Sequence, residues 1–135
     1  MRAITFILAS TITLIAQSPV VWEYDLAKAQ KRAQKEGKPL FVDVWAEWCP
    51  PCQHLKRNVF PSVEAQKALA GYVPVTLMTE TRDRRPMPDG MKVAMQYKVE
   101  AYPTLLILDA KGNELKRQVG AFSTGAQLGD WLKRK

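Results

Sequence analysis

Two cysteines three positions apart are the residues of this chain best placed to do chemistry. Cys49 and Cys52 are its only cysteines, and they enclose two prolines. They follow the apolar run Leu40 to Trp45, which predicts a strand, so the pair should begin the next helix. Unpaired N–H groups and the positive dipole end of a helix N-terminus favour a thiolate, which is the attacking species in thiol–disulfide exchange. The pattern predicts redox chemistry.

A single carboxylate interrupts the apolar strand that leads into the cysteine pair. Asp43 lies between Val42 and Val44, so a strand buried on both faces would bury the carboxylate too. Burial raises a carboxyl pKa because water no longer stabilises the charged form. Such a group is suited to accept the proton of Cys52 as that thiol becomes a nucleophile. The alternative is an aspartate on a partly wet face.

The cysteine pair is poorly suited to bracing the fold or to binding zinc. Closing so short a loop removes little chain entropy. Zinc bound by Cys-x-x-Cys normally takes a second pair of ligands, and His54 is the one histidine of the chain. Capture of Cu(I) by Cys49, Cys52 and His54 is the alternative. We expect no metal and no cofactor, and interpret His54 as a solvated helix residue.

Length, composition and charge limit the other function classes. A chain of 135 residues with 47% hydrophobic residues predicts one domain. The formal net charge is +7, but the cations are scattered and are not interleaved with aromatic residues, so we expect no nucleic-acid partner. The positive charge is typical of a solvated surface. Steering toward an acidic partner or an anionic membrane face is the alternative.

An apolar N-terminal stretch predicts export. Arg2 precedes an uncharged run over residues 3–16, and the next charged residue is Glu23. We interpret residues 1–18 as a signal peptide and residues 19–135 as a periplasmic or otherwise exported domain. An uncleaved N-terminal anchor is the alternative, although the polar residues of the stretch make it a poor membrane span.

The rest of the chain predicts alternating helices and strands. Gly37 ends the first helix, and Phe60-Pro61 separates the next two. A turn at residues 110–113 predicts a hairpin, and Thr124 starts a capping box. The order β–α–β–α–β–β–α after an N-terminal helix predicts an α/β fold with a mixed sheet flanked by helices. The predicted helices cover 24–36, 50–59, 62–70, 91–97 and 124 onward, and the strands cover 39–45, 73–78, 104–109 and 114–119.

Three segments together resemble the thioredoxin superfamily. Residues 41–52, Phe-Val-Asp-Val-Trp-Ala-Glu-Trp-Cys-Pro-Pro-Cys, are similar to its strand and active-site helix start. Tyr102-Pro103-Thr104 is similar to its cis-proline loop, and Lys111-Gly112-Asn113 with Val119-Gly120-Ala121 to its final hairpin. Within the superfamily, the chain most resembles exported domains such as the C-terminal periplasmic domain of DsbD-type electron carriers.

The resemblance implies a thioredoxin fold and a role for each reacting residue. Cys49 would be the exposed nucleophile that forms a mixed disulfide with a protein substrate. Cys52 would be the resolving thiol that attacks this bond and closes the Cys49–Cys52 disulfide. For Asp43 the resemblance implies the role of proton acceptor, which is also the role that its predicted burial indicates.

The resemblance also implies a substrate groove beside the cysteines. A cis bond between Tyr102 and Pro103 would offer backbone groups to an extended substrate segment. Trp48 would cover the rim, and Gly120 would form part of the other wall. For Trp48, simple packing is the alternative reading.

The two prolines between the cysteines indicate the direction of electron flow. Pro50 and Pro51 lack N–H groups, so the Cys49 thiolate keeps the Cys52 amide as its main local donor. Withholding donors destabilises the thiolate and makes the couple more reducing. We therefore predict an exported thiol–disulfide oxidoreductase that reduces protein disulfides and meets a membrane electron donor transiently. The alternatives are a disulfide oxidase or isomerase, and a binding module without turnover.

Overall fold

A single mixed sheet organises the structure, a computed structural model that describes residues 18–134. The strands lie in the order β2-β1-β3-β4; β1 is parallel to β2 and antiparallel to β3, which is antiparallel to β4. The predicted signal peptide or anchor at 1–18 lies outside the described residues except for Ser18. The strands are β1 (Leu40–Trp45), β2 (Val73–Met78), β3 (Thr104–Leu108) and β4 (Glu114–Val119).

Five α-helices flank this sheet and begin at side-chain caps or prolines. Asp25 accepts the Lys28 N–H at the first helix, and Gly37 ends that helix at φ 65°, a conformation that favours glycine. Ser62 and Thr124 cap the third and last helices in the same way. The helices are α1 (Leu26–Glu36), α2 (Pro50–His54), α3 (Val63–Leu69), α4 (Pro88–Gln96) and α5 (Gly125–Lys133).

The helix after the cysteines changes its winding, which the sequence analysis did not predict. The predicted helix over residues 50–59 is α2 only as far as His54, and Leu55–Val59 form one π-helical turn. The Phe60 N–H donates to the Leu55 carbonyl over 2.8 Å, five residues back. Pro61 then ends the segment because it has no N–H to continue the ladder. Such wider turns often occur at functional sites.

The prediction of a loop through residue 90 and a helix only from 91 is wrong. Helix α4 begins at Pro88, because a proline at the first helical position gives up an N–H that would have had no partner. Gly90 lies inside the helix because a Cβ there would collide with the backbone carbonyl of Met78. Here the proline marks the start of a helix, and the glycine marks the point where α4 approaches β2 closely.

Strand β1 is central, and its alternating side chains supply both layers of the core. Val42 and Val44 pack with Ala29 and Ala33 of α1 on one face. Phe41 packs on the other face with the helices that follow the cysteines and with α5. Because successive strand residues point to opposite faces, Asp43 shares the face of Phe41, which α2 and its π-turn cover. The fold thus places the carboxylate beneath the cysteine-bearing helix.

The described helices are short. Within residues 18–134, none combines the length and the apolar character needed to cross a bilayer.

Candidate active site

The cysteine pair lies where the central strand gives way to α2. Cys49 is the N-cap residue, and Pro50 and Pro51 occupy the first two helical positions. The two cysteines form a disulfide with a Cα–Cα distance of 5.3 Å. The Cys52 N–H donates to Cys49 Sγ over 3.3 Å. This is the local donor that the sequence analysis expected to remain once the prolines had removed two others.

Cys49 is buried, whereas the sequence analysis expected an exposed nucleophile. Only 3% of Cys49 is accessible, close to the 1% of Cys52. The rings of Trp48 and Tyr102 pack against the pair, and Cys49 Sγ lies 3.6 Å from the Tyr102 carbonyl oxygen. The neighbouring prolines are exposed, so a substrate would approach over them. The burial follows from the cis-proline loop, which comes from a distant part of the chain.

The residues predicted to line a groove lie together beside the disulfide. The Tyr102–Pro103 peptide bond is cis. Trp48 and Tyr102 meet edge to face with ring centroids 6.1 Å apart. On the other side of Pro103, the Gly120 N–H donates to the Pro103 carbonyl over 2.8 Å. Gly120 has φ 92° and open space where a side chain would be, so this wall is bare backbone.

Trp48 is held by the loop between β2 and α4, which no sequence pattern connected with the site. Its indole Nε1–H donates to Glu80 Oε2 over 2.6 Å, and the Arg84 guanidinium lies 4.3 Å from the ring centroid. The Glu47 carboxylate accepts the Arg82 backbone N–H over 2.7 Å. The rim of the site is therefore built jointly by the segment before Cys49 and by residues 79–87.

Asp43 is buried beneath α2, with 1% of its surface accessible. Its Oδ2 accepts from Thr76 Oγ1 at 3.0 Å and from Lys56 Nζ at 3.2 Å. Its Oδ1 is buried and has no hydrogen-bond partner among residues 18–134. Burial raises the pKa of the Asp43 carboxyl, and the Lys56 ammonium and the Thr76 hydroxyl offset this only in part. A carboxyl group in this state can hold a proton closer to neutral pH than an exposed aspartate.

Lys56 is the residue of the site that sequence reasoning missed. It follows Cys52 by four residues, and side chains with that spacing share a helix face. Its ammonium contacts the Asp43 carboxylate, lies 2.7 Å from Thr76 Oγ1 and stands 3.9 Å from the centroid of the Trp45 ring. The spacing was the available signal, although it could not reveal which strand residue the lysine would meet.

Lys56 also connects Asp43 with solvent. About a quarter of its side chain, 27%, is accessible. It borders an apolar cavity of about 660 Å³ that is also lined by Trp22, Trp45 and Phe60. Neither cysteine lines this cavity.

We predict that Lys56→Met moves the ionisation of Asp43 to higher pH. The lysine lowers the pKa of Asp43 through charge and hydrogen bonding, so its loss leaves burial less opposed. The acid limb of the disulfide-reduction rate should shift to higher pH, and the rate at neutral pH should fall several-fold. The methionine stem retains packing against Trp45. The measurement is the pH–rate profile together with an NMR titration of the Asp43 carboxyl carbon.

Arg57→Gln is the control for this prediction, because Arg57 is the exposed neighbour of Lys56 in the same π-turn. It removes the same charge without touching Asp43. An equal shift in both variants would contradict the assignment and indicate a general effect of net charge.

His54 is a half-buried residue of α2 that also makes two side-chain contacts, which its interpretation as a solvated helix residue did not include. Its Nε2 lies 3.0 Å from the Ser123 carbonyl oxygen, and the Asn58 amide lies 3.1 Å from its Nδ1. The histidine links α2 to the segment before α5.

The predicted capping box at the start of α5 is altered, because the Gln127 side chain accepts from the Ser123 N–H instead of the Thr124 N–H.

Comparison with known proteins identifies the family. The sequence profile of the thioredoxin-like domain matches residues 26–135. The chain belongs to the thioredoxin-like domain family. The predicted resemblance and the predicted fold are thereby confirmed, since the match covers both halves of the sheet and all the segments quoted above.

Individual relatives and solved structures show which members of the family the chain is similar to. The thiol:disulfide interchange protein DsbD of Klebsiella pneumoniae is 30% identical over 107 residues, which cover 76% of this chain and 17% of DsbD. A thioredoxin from Thermus thermophilus has a TM-score of 0.68 at 25% identity, with 86% of each chain covered. The reduced C-terminal domain of Neisseria meningitidis DsbD has a TM-score of 0.65, with 80% of this chain and 91% of that domain covered. At 19% identity this last likeness shows the fold alone.

The similarity to DsbD concerns a small part of that protein. The chain spans only 14% to 17% of the length of the DsbD proteins it matches. The chain is a thioredoxin-like domain homologous to DsbD that carries a close cysteine pair, which confirms the predicted class of thiol–disulfide oxidoreductase.

Proposed function

We propose that this chain is an exported reductant of protein disulfides. The single observation that supports this most strongly is the Cys49–Cys52 disulfide at a helix start, next to the Tyr102 carbonyl and above the buried Asp43. A pair with only a bracing role would need neither the adjacent Tyr102 carbonyl nor the buried carboxyl group. Each site residue then has a role in a two-step exchange.

In the first step, the reduced protein attacks the substrate. The Cys49 thiolate forms a bond to one sulfur of the substrate disulfide, and the other substrate sulfur leaves as a thiolate. The Cys52 N–H, which faces Cys49 Sγ, stabilises the negative charge on Cys49 before attack. Because Cys49 is nearly buried, the attack requires an extended substrate segment lying over Pro50 and Pro51.

In the second step, Cys52 releases the product. Asp43 accepts the Cys52 proton, and the resulting thiolate attacks Cys49 Sγ. The mixed disulfide breaks, the second substrate sulfur leaves, and the Cys49–Cys52 disulfide closes. Two electrons have passed to the substrate. The protein is then oxidised and needs a dithiol donor to return to its reduced state.

The groove would hold the substrate by its backbone. The Tyr102 carbonyl beside Cys49 and the bare backbone at Gly120 can pair with an extended peptide as an added strand would. Trp48 would close one end. Recognition through backbone groups suits an enzyme that acts on disulfides in different sequences.

The direction of electron flow is part of the proposal. The prolines leave the Cys49 thiolate one local amide donor, which supports a reducing couple. The apolar N-terminal stretch supports export, and an exported reductant needs an electron source. The resemblance to DsbD-type electron carriers supports a membrane protein as that source.

The reduction potential of the Cys49–Cys52 couple tests the direction. We expect a value near that of thioredoxin, roughly −270 mV, after equilibration with a dithiol buffer. A value toward roughly −120 mV would make the chain a disulfide oxidase instead. Reduction of insulin with dithiothreitol as the donor tests turnover itself, and no rate above that of a Cys49→Ser variant would leave the binding module as the function.

A further inference from the structure

Residues 79–87 form a basic loop with three arginines on the rim of the disulfide site. Its two arms are joined at Glu80 and Pro86, and the Met87 N–H donates to the Thr79 carbonyl over 2.7 Å. Arg84 at the tip has φ 62°, a conformation that costs a non-glycine residue energy and persists only where its surroundings impose it. The loop thus presents its side chains in a defined arrangement.

The acidic groups of this region are bound by donors of the rim itself. Glu80 accepts from the Trp48 indole, Glu47 accepts from the Arg82 backbone N–H, and Asp83 pairs with Arg85 at 2.8 Å. Unlike Arg85, Arg82 and Arg84 form no ion pair among residues 18–134. Both residues are exposed, and neither guanidinium is within ion-pair distance of a carboxylate in the part of the chain that the structure describes.

A short series of contacts connects these arginines with the reacting sulfur. The Arg84 guanidinium stacks on the Trp48 ring, which meets the Tyr102 ring edge to face. The Tyr102 carbonyl lies 3.6 Å from Cys49 Sγ. A substrate segment entering over Cys49 would therefore pass the basic loop within a few residues of its disulfide.

We propose that Arg82 and Arg84 select protein substrates that carry an acidic segment beside the disulfide. The proposal rests on the proposed reductase function and deepens it, because it names a substrate class. Two exposed cations with no carboxylate partner among residues 18–134 complement such a segment, and guanidinium groups bind carboxylates through paired hydrogen bonds. The excess of positive charge, which sequence reasoning assigned to a solvated surface, has a specific use at this position.

The test uses two peptides that share one disulfide and differ only in flanking residues, aspartate in one and serine in the other. The reduced full-length protein is mixed with each under single-turnover conditions at low salt. We expect the aspartate peptide to react about three- to tenfold faster, which corresponds to one or two exposed ion pairs. The preference should shrink at high salt because screening weakens exposed pairs.

The variant R82Q/R84N should abolish this preference, so that the aspartate and serine peptides react at equal rates. The ratio of the two rates is the readout, because loss of the Arg84 stack on Trp48 can change both rates together. Asparagine is chosen at position 84 because it tolerates positive φ. The matched control K28Q/K31Q removes two exposed charges from α1, which contributes no residue to the cluster around the cysteines. It should keep the preference. Circular dichroism would verify that both variants fold.

Two outcomes would overturn the proposal. The preference could survive in R82Q/R84N, and if that variant also lost binding to phosphatidylglycerol vesicles the loop would be a membrane contact. The preference could instead fall equally in K28Q/K31Q, which would indicate steering by net charge. No reaction with either peptide would instead overturn the reductase function, so the two failures are distinguishable.

Discussion

Cys52→Ser will convert a transient mixed disulfide into a stable complex between Cys49 and the substrate. The serine hydroxyl cannot displace the substrate sulfur, so the reaction stops after its first step. Turnover should fall to the background rate. The adduct should appear on non-reducing gels, and mass spectrometry of its peptides should place the bond at Cys49. Dithiothreitol should release both proteins unchanged.

Cys49→Ser is the matched control for trapping. It leaves Cys52 as the only thiol, and it should form no adduct at a comparable rate, because Cys52 lies inside the first turn of α2 and is covered by the rim. The two cysteines differ by only 2 percentage points in exposure, 3% against 1%. Their position at the helix start must therefore distinguish them. Equal trapping through Cys52 would contradict the assigned roles.

Asp43→Asn will slow the release step, by about 10²-fold at neutral pH, the usual scale of general base catalysis. Asparagine keeps the shape but cannot take the Cys52 proton. Above roughly pH 8.5 a thiol ionises without help, so the defect should shrink there. The measurement is the single-turnover rate of product release as a function of pH. An unchanged rate at neutral pH would contradict the role of proton acceptor.

The same substitution should make the folded protein more stable at neutral pH. The pKa of Asp43 is raised by burial, so the folded state binds the proton more tightly than the unfolded state. Stability contributed by the protonated group is present below the unfolded pKa of about 3.9 and is lost as pH rises through the folded pKa. The asparagine side chain does not ionise, so it avoids this loss, which is about 1.4 kcal/mol for each unit by which the folded pKa exceeds the unfolded one.

Urea unfolding of Asp43→Asn and of the wild type at several pH values would measure this gain. The difference should grow as pH rises from about 4 and vanish below it. Asp130→Asn, which removes an exposed carboxylate from α5, is the control and should change stability little. A loss of stability in Asp43→Asn at pH 8 would show that the pair with Lys56 outweighs burial.

Local sequence patterns predicted the secondary structure correctly where neighbouring residues determine it. The limits of β2 and β4 agree with the prediction, and β1 and β3 differ from it by one residue at one end. The helix start at Cys49 follows from the adjacent strand and prolines, all within a dozen residues. The prediction failed at Pro88 and Gly90. Proline and glycine end helices in many sequences, but here Pro88 begins α4 and Gly90 lies inside it.

The sequence by itself determined the fold class, the redox pair and the buried carboxyl group, because each depends on a local pattern of apolar residues around one motif. Only the tertiary structure decided that Cys49 is covered, that Lys56 pairs with Asp43 and that Arg84 stacks on Trp48. These contacts join elements that are 13 to 53 residues apart. Their geometry depends on how α2 and two loops pack on the sheet, and periodicity and spacing do not encode it.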